Sequence, residues 1–291
     1  MRRIHRLFNV PDDFERPKPH PVESKERFYQ GIIGGFKKIM QAQGLQFYVH
    51  GAENVPTEDG ALFVINHTGY YDFIIAGIGP HLRGNRLVRF MAKKEVFDMK
   101  VVGSLMHGMK HVPVDRAAGA ASITEAVKWL RSGGFVGIFP ESTISRSFEL
   151  SEFKSGAARI ADEAGVPMIP TVIWGSQRIL TKGLKKNLGR SRTPIIVSYG
   201  EPVTTTGDAE RDTERVKAAM QELLERNREE YAERFGPFPQ GLDWMPASLG
   251  GSAPTLEEAT EILARERAEK QAKKQKAKEA EGDGEAERGR R

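Results

Sequence analysis

The chain has 291 residues, 39% of them hydrophobic, a formal net charge of +5 and no cysteine. That length and apolar content allow one large or two ordinary domains with a substantial core, and the missing cysteine excludes disulfides, thiolate metal sites and a cysteine nucleophile. The basic balance suits an anionic partner without naming it: nucleic acid, anionic lipid headgroups and a CoA or carrier-protein phosphate all fit.

Residues 1–24 carry Pro11, Pro17, Pro19 and Pro21 among charges and read as an extended arm. The opening Met1-Arg2-Arg3-Ile4-His5-Arg6 leads into charge and proline, not into an apolar signal core. Next, Phe28, Ile32, Ile33, Phe36, Ile39 and Met40 recur at spacings of three and four, flanked by Arg27, Lys37 and Lys38. This is an amphipathic basic helix, packed on the domain core or lying in a membrane interface. Residues 1–44 therefore form an N-terminal arm and helix.

From residue 45 onward strands and helices alternate. Strands are predicted over 46–49, 61–66, 87–92, 110–113, 134–139, 168–174 and 193–200, with helices between them, as over 120–131 and 154–164. Such alternation with β-branched strands predicts an α/β fold, a mostly parallel central sheet flanked by helices. A long charged helix over 208–235 ends at Pro237-Phe238-Pro239, closing a domain of residues 45–245. Residues 246–291 read as a Gly/Pro/Ser linker and a charged C-terminal tail, helical or disordered, with as many acids as bases and little apolar stripe beyond Leu256, Ile262 and Leu263. No apolar run approaches the roughly 18 residues that would span a bilayer.

Two stretches carry chemistry. Asn66-His67-Thr68-Gly69-Tyr70-Tyr71-Asp72 comes directly after the apolar run 61–65, and Phe139-Pro140-Glu141-Ser142-Thr143 directly after the strand predicted before it. If a helix opens near Asp72, the turn folds back so that the carboxylate accepts the Nδ1 proton of His67 and leaves Nε2 as a general base; the plainer reading is a turn histidine beside a capping aspartate. Glu141 either balances a helix dipole or holds an acceptor. No G-x-S-x-G elbow is present, and Ser104, Ser155 and Ser176 lack that context, which argues against a serine hydrolase. The seven histidines form no H-E-x-x-H motif, so no metal is predicted.

In order and context these blocks resemble the glycerolipid acyltransferase family, PlsC-like enzymes that acylate glycerol 3-phosphate and 1-acylglycerol 3-phosphate (lysophosphatidic acid), with their NHxxxxD and FPEGTRS signatures. Val112-Pro113-Val114-Asp115-Arg116 stands where the family has a segment ending in Arg, and Val166-Pro167-Met168-Ile169-Pro170 where it has an apolar strand with proline; the likeness covers about residues 45 to 205. Two departures fall in the third block: Ser142 replaces Gly, and Ile144 stands in place of Arg, the nearest basic residue being Arg146.

The resemblance implies an O-acyltransferase of phospholipid biosynthesis, with His67 as base and Asp72 as its orienter. Acyl-CoA or acyl carrier protein is the expected co-substrate, a lysophospholipid the acceptor, and no cofactor or nucleic acid is expected. Glu141, Ser142 and Thr143 are expected to bind the acceptor, and its phosphate to meet Arg116 first, then Lys93 with Lys94, then Arg146 and Lys154. The basic run Arg178, Lys182, Lys185, Lys186, Arg190 and Arg192 reads as a solvated loop or as a patch for anionic lipid or CoA. With the amphipathic helix it would give two membrane signals, enough for peripheral attachment at the cytoplasmic face of the membrane. Alternatives are another acceptor, such as glycerol 3-phosphate or a different lysolipid, a lipid hydrolase or transacylase using the same His/Asp pair, and a non-catalytic lipid- or nucleic-acid-binding protein.

Overall fold

The computed structural model describes residues 1–115, 119–269 and 271–272. Nine strands form one sheet: β1 (Arg2–Ile4), β2 (Phe8–Val10), β3 (Gln46–His50), β4 (Ala61–Ile65), β5 (Val88–Lys93), β6 (Val112–Val114), β7 (Phe135–Ile138), β8 (Met168–Trp174) and β9 (Pro194–Tyr199). Their spatial order is β1-β2-β3-β9-β8-β4-β7-β5-β6. All neighbours run parallel except β1 with β2 and β8 with β9, so the predicted mostly parallel sheet is found.

The helices are α1 (Arg27–Ala42), α2 (Asp72–Ala76), α3 (Ile78–Leu82), α4 (Lys94–Phe97), α5 (Lys100–Gly108), α6 (Gly119–Arg131), α7 (Gly156–Ala164) and α8 (Ala209–Phe235). Side chains alternate across a strand, and β4 shows the result. Ala61, Phe63 and Ile65 enter one apolar cluster with Ile75, Ile78 and Phe90, whereas Leu62 and Val64 enter another with Val127, Ile160, Val216 and Met220 of α6, α7 and α8. All five residues of β4 are buried, as expected of a strand covered on both faces. Each side chain the size of Leu or Phe stabilises the fold by roughly 1.5–3 kcal/mol when fully buried.

The N-terminal segment differs from the extended arm expected of it. β1 and β2 extend the sheet edge, because Phe8 and Val10 find places in the core. Glu23 then forms a buried ion pair with Arg86 (3.0 Å) and Glu26 a part-buried one with Arg89 (2.5 Å), both of the β5 region, and Tyr29 of α1 donates to the Val88 carbonyl at 2.7 Å. Both guanidiniums also lie over rings, Arg86 over Phe135 at 3.7 Å and Arg89 over Tyr29 at 4.9 Å.

Helix α1 packs on the core and leaves part of its apolar side uncovered. Tyr29 and Met40 are buried, Ile32, Ile33 and Phe36 pack on the core, and Phe28 and Ile39 remain half-exposed. Beneath it lies an apolar cavity of about 50 Å³ lined in part by Ile32, Ile33, Phe73 and Ile74. Among the described residues no helix is long and apolar enough to cross a membrane.

Past residue 245 the described chain is a turn (Ala247–Leu249) and a helix over 256–269. The helix begins at a capping box: Glu258 N–H donates to Thr255 Oγ1 (3.2 Å) and Thr255 N–H to Glu258 Oε2 (2.8 Å). Most of the remainder of the predicted linker and tail lies outside the described residues.

Candidate active site

Strand β4 ends at Ile65, where the chain leaves the sheet and its backbone groups need new partners. Asn66 supplies them: its Nδ2 donates to the Ile173 carbonyl (3.0 Å) and its Oδ1 accepts from the Ile173 N–H (2.8 Å), so the side chain continues the ladder to β8. The next residue, His67, stands at the carboxyl end of the sheet, the edge where α/β folds place their ligands.

Helix α2 opens with Asp72, and the turn between brings the two side chains together. Asp72 Oδ2 faces His67 Nδ1 at 3.1 Å and also accepts the Thr68 and Gly69 N–H groups, each at 2.7 Å. Oδ1 accepts Ser176 Oγ at 2.5 Å. This carboxylate is fully buried, and its four bonds offset the cost of taking a charge out of water. They also leave His67 Nδ1 to act as donor and Nε2 as the basic nitrogen. The His67 ring is one-fifth exposed and stacks on Phe139 at 4.2 Å between centroids.

The second block clamps the backbone of the same histidine. Glu141 Oε1 accepts the His67 N–H (3.0 Å), and the His67 carbonyl accepts the Ser145 N–H (2.7 Å). Glu141 Oε2 takes Ser151 N–H (3.2 Å) and Oγ (3.0 Å). Burial pushes the Glu141 carboxyl up to about 7, against these donors and the nearby imidazole, which pull it down. The bonds of Glu141 thus go to the backbone of His67 and to its own loop.

Ser142 sits at φ +61°, in the left-handed region that favours the glycine expected there by resemblance. Ile144 is buried, so the position where the family has Arg presents no charge here. Arg146 lies beyond it and pairs with Glu266 of the C-terminal helix. Thr143 Oγ1 accepts Lys182 Nζ at 2.8 Å. Lys93 and Lys94 are exposed at the carboxyl end of β5, Lys94 pairing with Asp115 at 3.2 Å, and Lys154 is exposed just past the loop. Arg116 lies outside the described residues. Among the described residues no group of three or more His, Asp or Glu gathers as a metal site would need.

Two contributors went unassigned in the sequence. Ser176 lies just past β8 and reaches Asp72 across 104 positions, a relationship that no local spacing signals. Thr181 Oγ1 donates to the Thr68 carbonyl (2.6 Å) and the Leu180 carbonyl accepts the Tyr70 N–H (2.9 Å), so the basic run begins against the histidine turn. That run divides. Arg178 is enclosed by Tyr231, Phe238 and Trp244 and donates to Tyr231 Oη (2.6 Å), whereas Lys185, Lys186, Arg190 and Arg192 are exposed. The exposed part adjoins the end of α1, where the Leu188 carbonyl accepts Gln43 Nε2 at 3.0 Å.

Comparison with known proteins gives a consistent result. A family model described as acyltransferase matches residues 46–174. A 1-acyl-sn-glycerol-3-phosphate acyltransferase of Bacillus subtilis (strain 168) is 32% identical over 202 residues, covering 67% of this chain and 92% of the relative. A chloroplast 1-acyl-sn-glycerol-3-phosphate acyltransferase of Arabidopsis thaliana is 27% identical over 178 residues, covering 60% of this chain and 48% of the relative, about half its length. In fold, the chain is similar to the crystal structure of the 1-acyl-sn-glycerophosphate acyltransferase PlsC from Thermotoga maritima, with a TM-score of 0.53, 23% identity, and 69% and 89% of the two chains covered.

Proposed function

This chain belongs to the glycerolipid acyltransferase family, and we propose that it transfers a fatty acyl group from acyl-CoA or acyl carrier protein to the free hydroxyl of 1-acylglycerol 3-phosphate in phospholipid biosynthesis. The observation that carries this reading is the His67–Asp72 pair, whose carboxylate is buried and held by four hydrogen bonds at the carboxyl edge of the sheet.

His67 Nε2 takes the proton of the acceptor hydroxyl as its oxygen attacks the thioester carbonyl. Asp72 stabilises the imidazolium that forms and fixes its tautomer, the part an aspartate plays in a hydrolytic triad. Collapse of the tetrahedral intermediate breaks the carbon–sulfur bond, and the departing thiolate takes the proton from Nε2. The acceptor hydroxyl fills the place of a serine nucleophile, so no acyl-enzyme forms and no cofactor enters the scheme. Glu141 and Ser145 act as positioning residues by fixing the backbone of His67 from both sides.

The acyl chain would run toward the apolar surface beneath α1, which is lined by Phe73 and Ile74, the two residues after Asp72. The acceptor phosphate would meet Arg146 and, at the carboxyl end of β5, Lys93; the resemblance adds Arg116 as a candidate. Phe28 and Ile39 of α1, with the exposed Met99, Val101 and Val102 at the start of α5, form an apolar surface suited to a membrane interface. Lys185, Lys186, Arg190 and Arg192 beside the end of α1 add attraction to anionic lipid.

The test is transfer of labelled oleoyl groups from oleoyl-CoA and from oleoyl carrier protein to lysophosphatidic acid, glycerol 3-phosphate and neutral lysolipids. Transfer to lysophosphatidic acid that disappears in His67→Ala supports the reading. Release of free fatty acid without acceptor would identify a hydrolase instead.

A further inference from the structure

The residue that breaks the family pattern at Ile144 is also where the C-terminal helix sits. Thr143, Ile144, Ser145 and Arg146 on the loop, with Lys182, face Leu256, Ala259, Leu263 and Glu266 of the helix across a cavity of about 40 Å³. The helix positions recur at three and four residues and so share one face. An arginine at 144 would put a charge into this seat, whereas isoleucine gives the helix an apolar surface to lie on. The seat is shallow. No residue of 256–269 is fully buried, and an element with so few buried contacts opens at small cost.

The polar end of this contact is a charge cluster. Arg146 donates to Glu266, with side-chain exposures of 26% and 41%. On its other side Arg146 Nη1 lies against Gly183, 2.5 Å from where a Cβ there would stand, which places the guanidinium beside the residue next to Lys182. Lys182 in turn bonds Thr143 on the same loop as Arg146. This loop and this strand exit are the segments that touch the histidine turn, through Ser145 to His67 and Thr181 to Thr68.

We infer that helix 256–269 is a lid exchanged by substrate: Glu266 holds Arg146 until the phosphate of the acceptor displaces it and binds between Arg146 and Lys182. This rests on the acceptor reading above and adds a specificity-determining residue, Lys182, with an internal competitor, Glu266. The chemistry favours the exchange. A phosphate monoester brings about two charges and three acceptor oxygens, and Arg binds such groups through two parallel bonds, whereas a carboxylate paired this near solvent holds Arg146 only weakly. A neutral lipid with the same acyl chain has nothing to exchange.

The test uses the full chain and compares 1-oleoyl-lysophosphatidic acid with 1-monooleoylglycerol in the same detergent. Glu266→Gln lowers KM for lysophosphatidic acid by about three-fold, the scale of one half-exposed ion pair, and leaves KM for the acyl donor in place. Lys182→Ala raises KM for lysophosphatidic acid, and Lys182→Arg restores most of it, which loss of a merely structural contact would not allow. In parallel, lysophosphatidic acid or inorganic phosphate speeds tryptic cleavage at Arg265 and Arg267, and monooleoylglycerol does not. An unchanged KM in Glu266→Gln with cleavage indifferent to phosphate overturns the lid. If the wild type acylates some other acceptor and not lysophosphatidic acid, the acceptor reading fails instead. Cleavage sped by inorganic phosphate in the wild type but not in Arg146→Gln then upholds the exchange on its own, and its absence overturns it.

Discussion

Ser176 Oγ donates to Asp72 Oδ1 at 2.5 Å, joining the first residue of α2 to the loop that leaves β8. Because Oδ2 is occupied by His67 and two backbone N–H groups, this serine is the partner of the other oxygen, and it serves there where Asp72 is fully buried. Removing it leaves part of a buried carboxylate unsatisfied, which costs about 1–3 kcal/mol. Ser176→Ala is expected to lower kcat by roughly ten-fold with little change in KM, since the imidazolium forms in the transition state. Asp72→Asn is expected to lower it by about 10⁴, as when the orienting carboxylate of a triad is replaced. Steady-state kinetics on both variants checks the order: a Ser176→Ala enzyme with wild-type kcat would mean that Asp72 is held well enough without it.

Ser142 should be easier to improve than to damage. At φ +61° a residue with a Cβ is strained by about 1 kcal/mol relative to glycine, partly offset by the larger entropy glycine has in the unfolded chain. Ser142→Gly is expected to stabilise the protein by about 0.5 kcal/mol, read as a higher midpoint in urea at unchanged slope. A lower midpoint would show that the serine hydroxyl contributes more than its backbone costs.

Glu141 links the site to pH. Its folded pKa, raised to about 7 from 4.5, means that the folded state holds a proton which the unfolded chain has lost over that interval. Its contribution is therefore fully present below about 4.5 and is lost as pH rises through 7, a swing on the order of 3 kcal/mol. Glu141→Gln is expected to be less stable at pH 4, where its amide cannot accept every bond the carboxyl group does, but to lose this slope between pH 4.5 and 7. Parallel urea titrations at several pH values measure the difference. Identical slopes in the two proteins would rule the contribution out.

Much of this was legible in the sequence, for physical reasons that also explain the rest. The strands 61–65 and 168–174 announce themselves because strands covered on both faces read as continuous apolar runs, whereas 46–50 alternates buried and half-buried residues. The pairing of His67 with Asp72 comes from five positions and one helix start. β1 and β2 were hidden because each has three residues and β1 begins Arg2-Arg3, giving no period to detect. Nothing local marks Arg86 and Arg89 as buried, since their partners Glu23 and Glu26 are 63 positions away. The C-terminal helix had a readable start, Thr255-Leu256-Glu257-Glu258, outweighed by the dense charge of residues 265–291.

The buried pair Arg86–Glu23 decides whether the N-terminal segment is an ornament or part of the fold. Both side chains are almost fully buried, at 0% and 5% exposure, and Glu23 also accepts the Leu87 N–H at 2.6 Å. Breaking such a pair by removing one member leaves an uncompensated charge and costs about 3–5 kcal/mol. Glu23→Ala is therefore expected to unfold at a markedly lower denaturant concentration, and to lower activity at 37 °C through loss of folded enzyme. Replacing Arg86 as well, in Glu23→Ala/Arg86→Met, should recover part of that loss, because a neutral pair of apolar groups carries no stranded charge. A Glu23→Ala protein as stable as the wild type would mean that residues 1–26 dock too loosely to matter, and the anchoring of α1 would then rest on its own apolar face.

The apolar surface of α1 and α5 gives the last prediction. Val101 is 74% exposed and Met99 54%, next to a helix that also leaves Phe28 half-exposed, with the Phe28 ring lying against Gly108 at the far end of α5. Neither side chain contributes much burial to the fold, so charging them should leave stability nearly untouched. Insertion into a headgroup layer, by contrast, loses the transfer energy of two apolar groups and gains the cost of two buried carboxylates. The double variant Met99→Asp/Val101→Asp is expected to release the protein from vesicles containing anionic lipid while its urea midpoint stays put. Sedimentation with such vesicles reads the first and a denaturation curve the second. Raising the salt concentration should weaken wild-type binding through Lys185, Lys186, Arg190 and Arg192, but an apolar contribution survives screening. Binding that vanishes in salt and ignores the double variant would assign attachment to the basic loop alone and leave the exposed valine and methionine without a part in it.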